Sequence, residues 1–238
     1  MTKNNEKHTS GCMVCGIDLI YEQEQKLLNC FFCGKELETD TYCENDHFVC
    51  NSCHAQDAIE IIKSVCLSST EKDMIELLKK IRSHEKFPLH GPEHHAMVSG
   101  IILTAYKNSG GKIEDNKIIK GIERGGKIPG GYCGYIGACG AALGVGNAFG
   151  IILGSSPIKS KERQQVLKIT AEVLSAIAKN QAARCCQRES VIALQLAAKL
   201  SQEYLGMKLF ANNDFKCTQS KKNKECLKEA CPFWCEEK

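Results

Sequence analysis

Two C-x-x-C-G units, Cys12-Met-Val-Cys15-Gly16 and Cys30-Phe-Phe-Cys33-Gly34, stand fourteen residues apart near the start of the chain. Each is a knuckle: a tight turn aims two sulfurs at one point, and the glycine beyond it supplies backbone freedom. The stretches 17–21 and 26–30 read as short strands joined by polar residues 22–25. The spacing therefore predicts a hairpin carrying both knuckles, a zinc ribbon closed by Cys12, Cys15, Cys30 and Cys33. Cys43, His47, Cys50 and Cys53 supply a second four-ligand set, with His54 as the alternative to His47. Two zinc ions are expected. Sequential pairing of the eight ligands is the simpler arrangement, and interleaving stays open.

The chain has 16 cysteines in 238 residues. Residues 1–10 are polar and charged, without the apolar core of a secretory signal. The expected location is cytoplasmic, where a disulfide scaffold is disfavoured and metal or thiol chemistry is the default. The length suits one principal domain with a small module. The boundaries read as a zinc module over 1–54, connecting helices over 55–86, a helical Cys/His domain over 87–215 and a Cys-rich tail over 216–238. Charge divides along these lines, with a net −5 over 1–54 and +8 over the remainder. An acidic module lacks the positive footprint that phosphate recognition requires, so nucleic acid is not an expected partner.

Beyond the module the pattern is helical, over 55–66, 71–82, 92–108, 114–124, 161–179 and 189–205. Ser69 or Thr70 offers the N-cap of the second helix. Val166, Ile169, Val173 and Ile177 form one stripe, and Cys66 falls on the apolar pattern of Ile59 and Ile62 as a core residue. The fold class is mainly α, a helical Cys-rich domain with an N-terminal zinc-ribbon-like β module. A stretch of 31 residues between Lys127 and Lys159 carries no charge but nine glycines. It is long enough for a bilayer but low in apolar mass, and reads as a buried helix whose glycines allow close approach. A dinucleotide fingerprint fails there, because Phe149 stands where the third glycine is due.

Three constellations in the helical domain carry chemical potential. His90, Glu93, His94 and His95 contain H-x-x-E-H, but Pro88 and Pro92 argue for a helix starting at Pro92, with His90 on the loop before it. This cluster is the candidate catalytic or metal-binding centre. Cys133 and Cys139 lie on a glycine-rich loop. Cys139 stands at a helix entrance, where the dipole is expected to favour a thiolate. Cys185 and Cys186 are bracketed by Arg184 and Arg188, cations expected to lower thiol pKa. With tail residues Cys217, Cys226, Cys231 and Cys235, these make eight distal cysteines for an iron–sulfur cluster or a dithiol relay.

These motifs together, from Cys12-x-x-Cys15-Gly16 through His90-Gly-Pro-Glu-His-His95 and Gly130-Gly-x-Cys133-Gly-x-x-Gly-Ala-Cys139-Gly-Ala-Ala142 to Arg184-Cys-Cys-x-Arg188, resemble the domain-of-unknown-function 5714 family. That resemblance implies an anaerobic setting, sometimes beside S-adenosylmethionine-dependent methyltransferase domains, and supplies no reaction. The Cys139 segment is also similar to the C-GCAxxG-C-C family of redox or iron–sulfur proteins. Three functions are open: a zinc-stabilised redox or iron–sulfur protein, a metal-dependent enzyme centred on the histidines, and a non-catalytic zinc adaptor for a methyltransferase or radical enzyme. No membrane partner is expected.

Overall fold

Strand β1 (Leu19–Asn29) and strand β2 (Glu36–Cys43) form an antiparallel hairpin in the computed structural model, which describes residues 11–84 and 86–235, Ala55 by its backbone alone. The polar start read at residues 1–10 lies outside them. The expected hairpin within 17–30 is corrected here: both strand-like runs belong to β1. The sequence Glu22-Gln-Glu-Gln25 has no Gly, Pro or Asn to reverse the chain, and becomes an irregularity between Tyr21 and Lys26. Reversal happens at the second knuckle, where Gly34 adopts φ 69° and accepts the left-handed conformation at no steric cost. The ladder pairs Leu19 with Cys43 at one end and Asn29 with Glu36 at the other.

Eight α-helices follow among the described residues: α1 (Asn51–Ser68), α2 (Met74–Arg82), α3 (Glu93–Asn108), α4 (Asp115–Gly126), the single turn α5 (Tyr132–Tyr135), α6 (Gly140–Ile152), α7 (Ser160–Ala178) and α8 (Cys186–Leu205). The expected start of α2 shifts by three residues. Asp73 is its N-cap, its Oδ1 accepting from the Ile75 amide at 2.8 Å, while Glu71 accepts from the Lys72 and Asp73 amides. Asp73 also accepts from the Asn212 amide at 3.1 Å and so ties α2 to the segment after α8.

Helix α3 is buried continuously from Ala96 to Ala105, as a helix apolar on all sides must be, with α1, α4, α6 and α8 around it. Two glycines set the α3–α6 crossing: a Cβ on Gly140 would enter the His95 ring, and one on Gly144 would meet the His95 carbonyl at 2.9 Å. The glycine-rich stretch is thus a close-packed core helix of 13 residues, and no described helix is long and apolar enough to cross a membrane. Cys66 is buried in this core, where burial pushes its thiol up to about 12. Ile169, Val173 and Ile177 of α7 pack on the same core.

Candidate metal centres

The hairpin decides which ligands meet. Because β2 returns alongside β1, Cys43 arrives beside the first knuckle, and the isolated bridge Cys30–Phe48 brings Cys50 and Cys53 to the second. The ligand atoms of Cys12, Cys15, Cys43 and His47 lie within 4.8 Å of one another, as do those of Cys30, Cys33, Cys50 and Cys53. The sequential pairing expected from sequence is therefore replaced by an interleaved one, the first and third ligand pairs against the second and fourth.

These groups have the dimensions of tetrahedral sites. With Zn–S bonds of about 2.3 Å, the S–S edge of a tetrahedron is about 3.8 Å. Cys15 Sγ–Cys43 Sγ and Cys33 Sγ–Cys50 Sγ are each 3.8 Å. His47 presents Nδ1, 3.4 Å from Cys15 Sγ and 3.9 Å from Cys12 Sγ. Backbone amides already point at the sulfurs: Val14 N donates to Cys12 Sγ at 3.4 Å and Cys50 N to Cys30 Sγ at 3.3 Å. The Ile17 amide, with help from His47, holds the Cys15 thiol down at about 6. Burial pushes Cys30 up, but the amides of Cys50, Cys33 and Phe32 outweigh it and bring it to about 6, whereas burial and its sulfur neighbours push Cys53 up to about 12. Sulfurs packed this closely cannot all ionise alone; a divalent cation between them removes the conflict.

His54 stands apart from both groups. Its imidazole N–H donates to Glu93 Oε2 at 3.2 Å, joining the first turn of α1 to the start of α3. A Cβ on Gly91 would strike both Glu93 oxygens and His54, so glycine is what lets that pair close.

The histidine cluster brings no three of its members to one point, although Glu93 Oε1 lies 3.6 Å from His94 Nε2. Pro92 is the N-cap of α3, one residue from its expected place inside the helix, and Glu93 and His94 are fully buried. His90 Nε2 faces Asn223 Oδ1 at 3.1 Å, His94 donates through Nε2 to the Pro88 carbonyl at 3.2 Å, and His95 donates through Nδ1 to the Ile128 carbonyl at 3.1 Å. Arg82 Nη1 donates to His94 Nδ1 at 2.9 Å. Burial holds all three imidazoles below the usual range, His90 at about 4, with Arg82 adding to the effect on His94 and Arg184 to that on His90. Among the described residues the only groups of three or more His, Cys, Asp or Glu side chains with ligand atoms this close are the two in the module.

The distal cysteines fall around two polar centres. Cys139 is the N-cap of α6, as its position at the loop end implies, but its thiol donates to Glu189 Oε2 at 3.2 Å. Burial and that carboxylate push its pKa up, which reverses the expected thiolate: the helix dipole is the weaker effect. Cys185 is the N-cap of α8, which starts three residues earlier than the sequence pattern indicates, and its amide donates to Glu189 Oε1 at 3.2 Å. Burial also pushes Cys185 up, and Cys186 to about 12, against the pull of Arg188 and Arg184. Arg184 instead turns to the module, bonding Tyr21 Oη and stacking on its ring at 5.2 Å. Cys133 is exposed on α5.

Cys185, Cys217, Cys226 and Cys231 line one cavity with His90 and Arg188. Arg82 was not singled out by sequence, although it continues the buried stripe of Met74 and Leu78 at intervals of four, which is a legible signal. Its Nε donates to Gln187 Oε1 at 2.8 Å, and Gln187 Nε2 donates in turn to Cys217 Sγ at 3.1 Å.

A metal-binding Cys-rich module on a helical core is thus the class of protein that fold and site define. The chain belongs to a family of unknown function, DUF5714, whose family model matches residues 62–234. The match covers most of the helical core with Cys217, Cys226 and Cys231 of the tail, and the interleaved module lies before it. No curated protein and no solved structure matches the chain.

Proposed function

We propose that the chain is a metal–thiolate redox protein: two zinc ions fix the N-terminal module, and an iron–sulfur cluster on distal cysteines of the helical domain carries the chemistry. The 3.8 Å sulfur edges in both N-terminal groups support zinc most directly. For the helical domain, the supporting observation is a set of half-buried cysteines lining one cavity beside the buried Arg82 and Arg188, cations that suit an anionic cluster. The setting we favour is anaerobic, in electron transfer associated with methyl-transfer metabolism. The test is anaerobic purification with zinc, iron and sulfide quantification. Two zinc ions per chain, with iron, sulfide and visible charge-transfer absorbance, are expected. Two zinc and no iron even after anaerobic reconstitution would sink the cluster.

A second reading has its own observation. Phe31 and Phe32, edge-to-face at 5.5 Å, are more than half exposed at the second knuckle, and Leu27 and Leu37 are exposed beside them on the hairpin. Such a cap suits docking onto a protein, as an adaptor for a methyltransferase or radical enzyme would require. Loss of co-elution with such an enzyme in a Phe31→Ser, Phe32→Ser variant would support it; unchanged co-elution would oppose it.

A further inference from the structure

The cavity beneath the tail contains the features of a thiolate site that the N-terminal module does not use. Three of its cysteines, Cys217, Cys226 and Cys231, come from the segment after α8, and Cys185 comes from the α8 N-cap. Gln219 N donates to Cys217 Sγ and Lys228 N donates to Cys226 Sγ, each at 3.4 Å and each from the residue two positions on. Val14 makes the same bond to Cys12 in the first knuckle, at the same length. The tail therefore repeats, without a C-x-x-C motif, the local turn by which the module presents a ligand sulfur. Gln187 adds a side-chain N–H to Cys217, and its orientation is fixed because Arg82 donates to the other end of the same amide.

Two buried arginines bring positive charge to the cavity. Arg188 is 4% exposed and lines it; its Nη2 reaches Glu189 Oε1 at 3.5 Å and donates to the Ala183 carbonyl at 3.0 Å, while its buried Nε has no hydrogen-bond partner. Arg82 is 8% exposed and bonds Gln187, His94, Gln219 and the Leu89 carbonyl, all neutral, with no carboxylate ion pair among the described residues. A buried guanidinium with no carboxylate partner, and a second with an unsatisfied N–H, favour an anionic occupant.

The spacing of the sulfurs differs from that of a single-ion site. No three of the four have sulfurs all within 4.8 Å of one another, whereas both module sites meet that limit. A single tetrahedral ion needs edges of about 3.8 Å. Thiolates set farther apart around a common space fit a polynuclear centre, in which the thiolates are shared among several iron ions. Resting on the iron–sulfur reading above, we propose that Cys185, Cys217, Cys226 and Cys231 hold an iron–sulfur cluster, with Arg82 and Arg188 as its buried counter-cations. Cys133, Cys139 and Cys186 are then not ligands.

The experiment is anaerobic reconstitution of the full chain with ferrous iron and sulfide. Cys185→Ser, Cys217→Ser, Cys226→Ser and Cys231→Ser should each retain under a quarter of the wild-type iron. Cys133→Ser, Cys139→Ser and Cys186→Ser should retain all of it, with zinc content and helical circular dichroism unchanged. Alkylation mapping of the wild type keeps the test independent of variant folding: cluster loading should protect those four thiols and leave Cys133 reactive. Iron lost from the Cys133, Cys139 or Cys186 variants and kept in the other four would overturn this assignment and leave the cluster reading standing. A wild-type chain that takes up no iron, or binds one zinc there, removes both.

Discussion

Cys15 Sγ lies 3.8 Å from Cys43 Sγ, although 28 residues and both strands of the hairpin separate them in sequence. The pairing follows from the ladder, since Cys43 sits opposite Leu19, next to the first knuckle. Cys43→Ser should lower bound zinc from two ions to one and make Cys12 and Cys15 reactive to alkylation, with Cys50 and Cys53 still protected. Sequential pairing predicts the reverse pattern, so zinc analysis with thiol mapping separates the two.

His54 follows a ligand cysteine directly in sequence yet serves a different purpose. His54→Ala should keep both zinc ions. It should destabilise the fold by about 1–3 kcal/mol, the usual effect of depriving a buried acceptor, here Glu93, of its donor. Zinc stoichiometry and urea unfolding of the same sample check both halves.

Gly140→Ala should destabilise by about 1–3 kcal/mol, because the added methyl meets the His95 ring where α6 crosses α3. Gly134→Ala, where a Cβ meets nothing within 4 Å, is the control and should be near neutral. Chemical denaturation of the two variants side by side gives the comparison.

Acid should weaken the helical core through its histidines. His90, His94 and His95 all have depressed pKa values when folded, so below the unfolded value of about 6.5 the unfolded chain binds more protons. Their contribution is present above that pH and is lost as the pH falls toward about 4, where His90 itself titrates. Unfolding free energy should therefore fall from pH 7 to 5, and the slope should be shallower in His95→Asn. The variant keeps all eight module ligands, so the difference in slope isolates the histidine from zinc release.

Glu189 governs the reactivity of Cys139. Burial and this carboxylate hold the thiol protonated, so Cys139 should resist alkylation at pH 8. Glu189→Gln removes the repulsion and should accelerate Cys139 labelling, by about tenfold for each pKa unit recovered at pH below that pKa. Unchanged labelling would assign the protection to burial alone.

Ligand types in the module were legible because a metal site dictates residue chemistry and short-range spacing, both of which are local. Their pairing was not, since it depends on whether residues 22–25 turn or continue, and that is settled only when β2 docks on β1. The long helices were visible as apolar periodicity, while the start of α8 was hidden because Cys185 and Cys186 do not resemble an ordinary cap. The state of Cys139 is not legible in sequence for a related reason. Its helix position is written in the adjacent sequence, but Glu189 arrives from 50 residues away. Arg82 shared its turn with Lys79 and Lys80, and only its place on the buried stripe distinguishes it from a solvated basic end.

The hairpin also constrains the order of assembly. Every module site draws two ligands from a knuckle and two from the end of the second strand or the chain beyond it, so a zinc ion caught early by either knuckle can gain at most half its ligands. Coordination is completed only as the strands zip, and a two-stranded hairpin, marginal on its own, is completed only as metal binds. Because Cys50 is both a ligand-group member and the N-cap of α1, that concerted step ends by setting the direction in which the helical core begins.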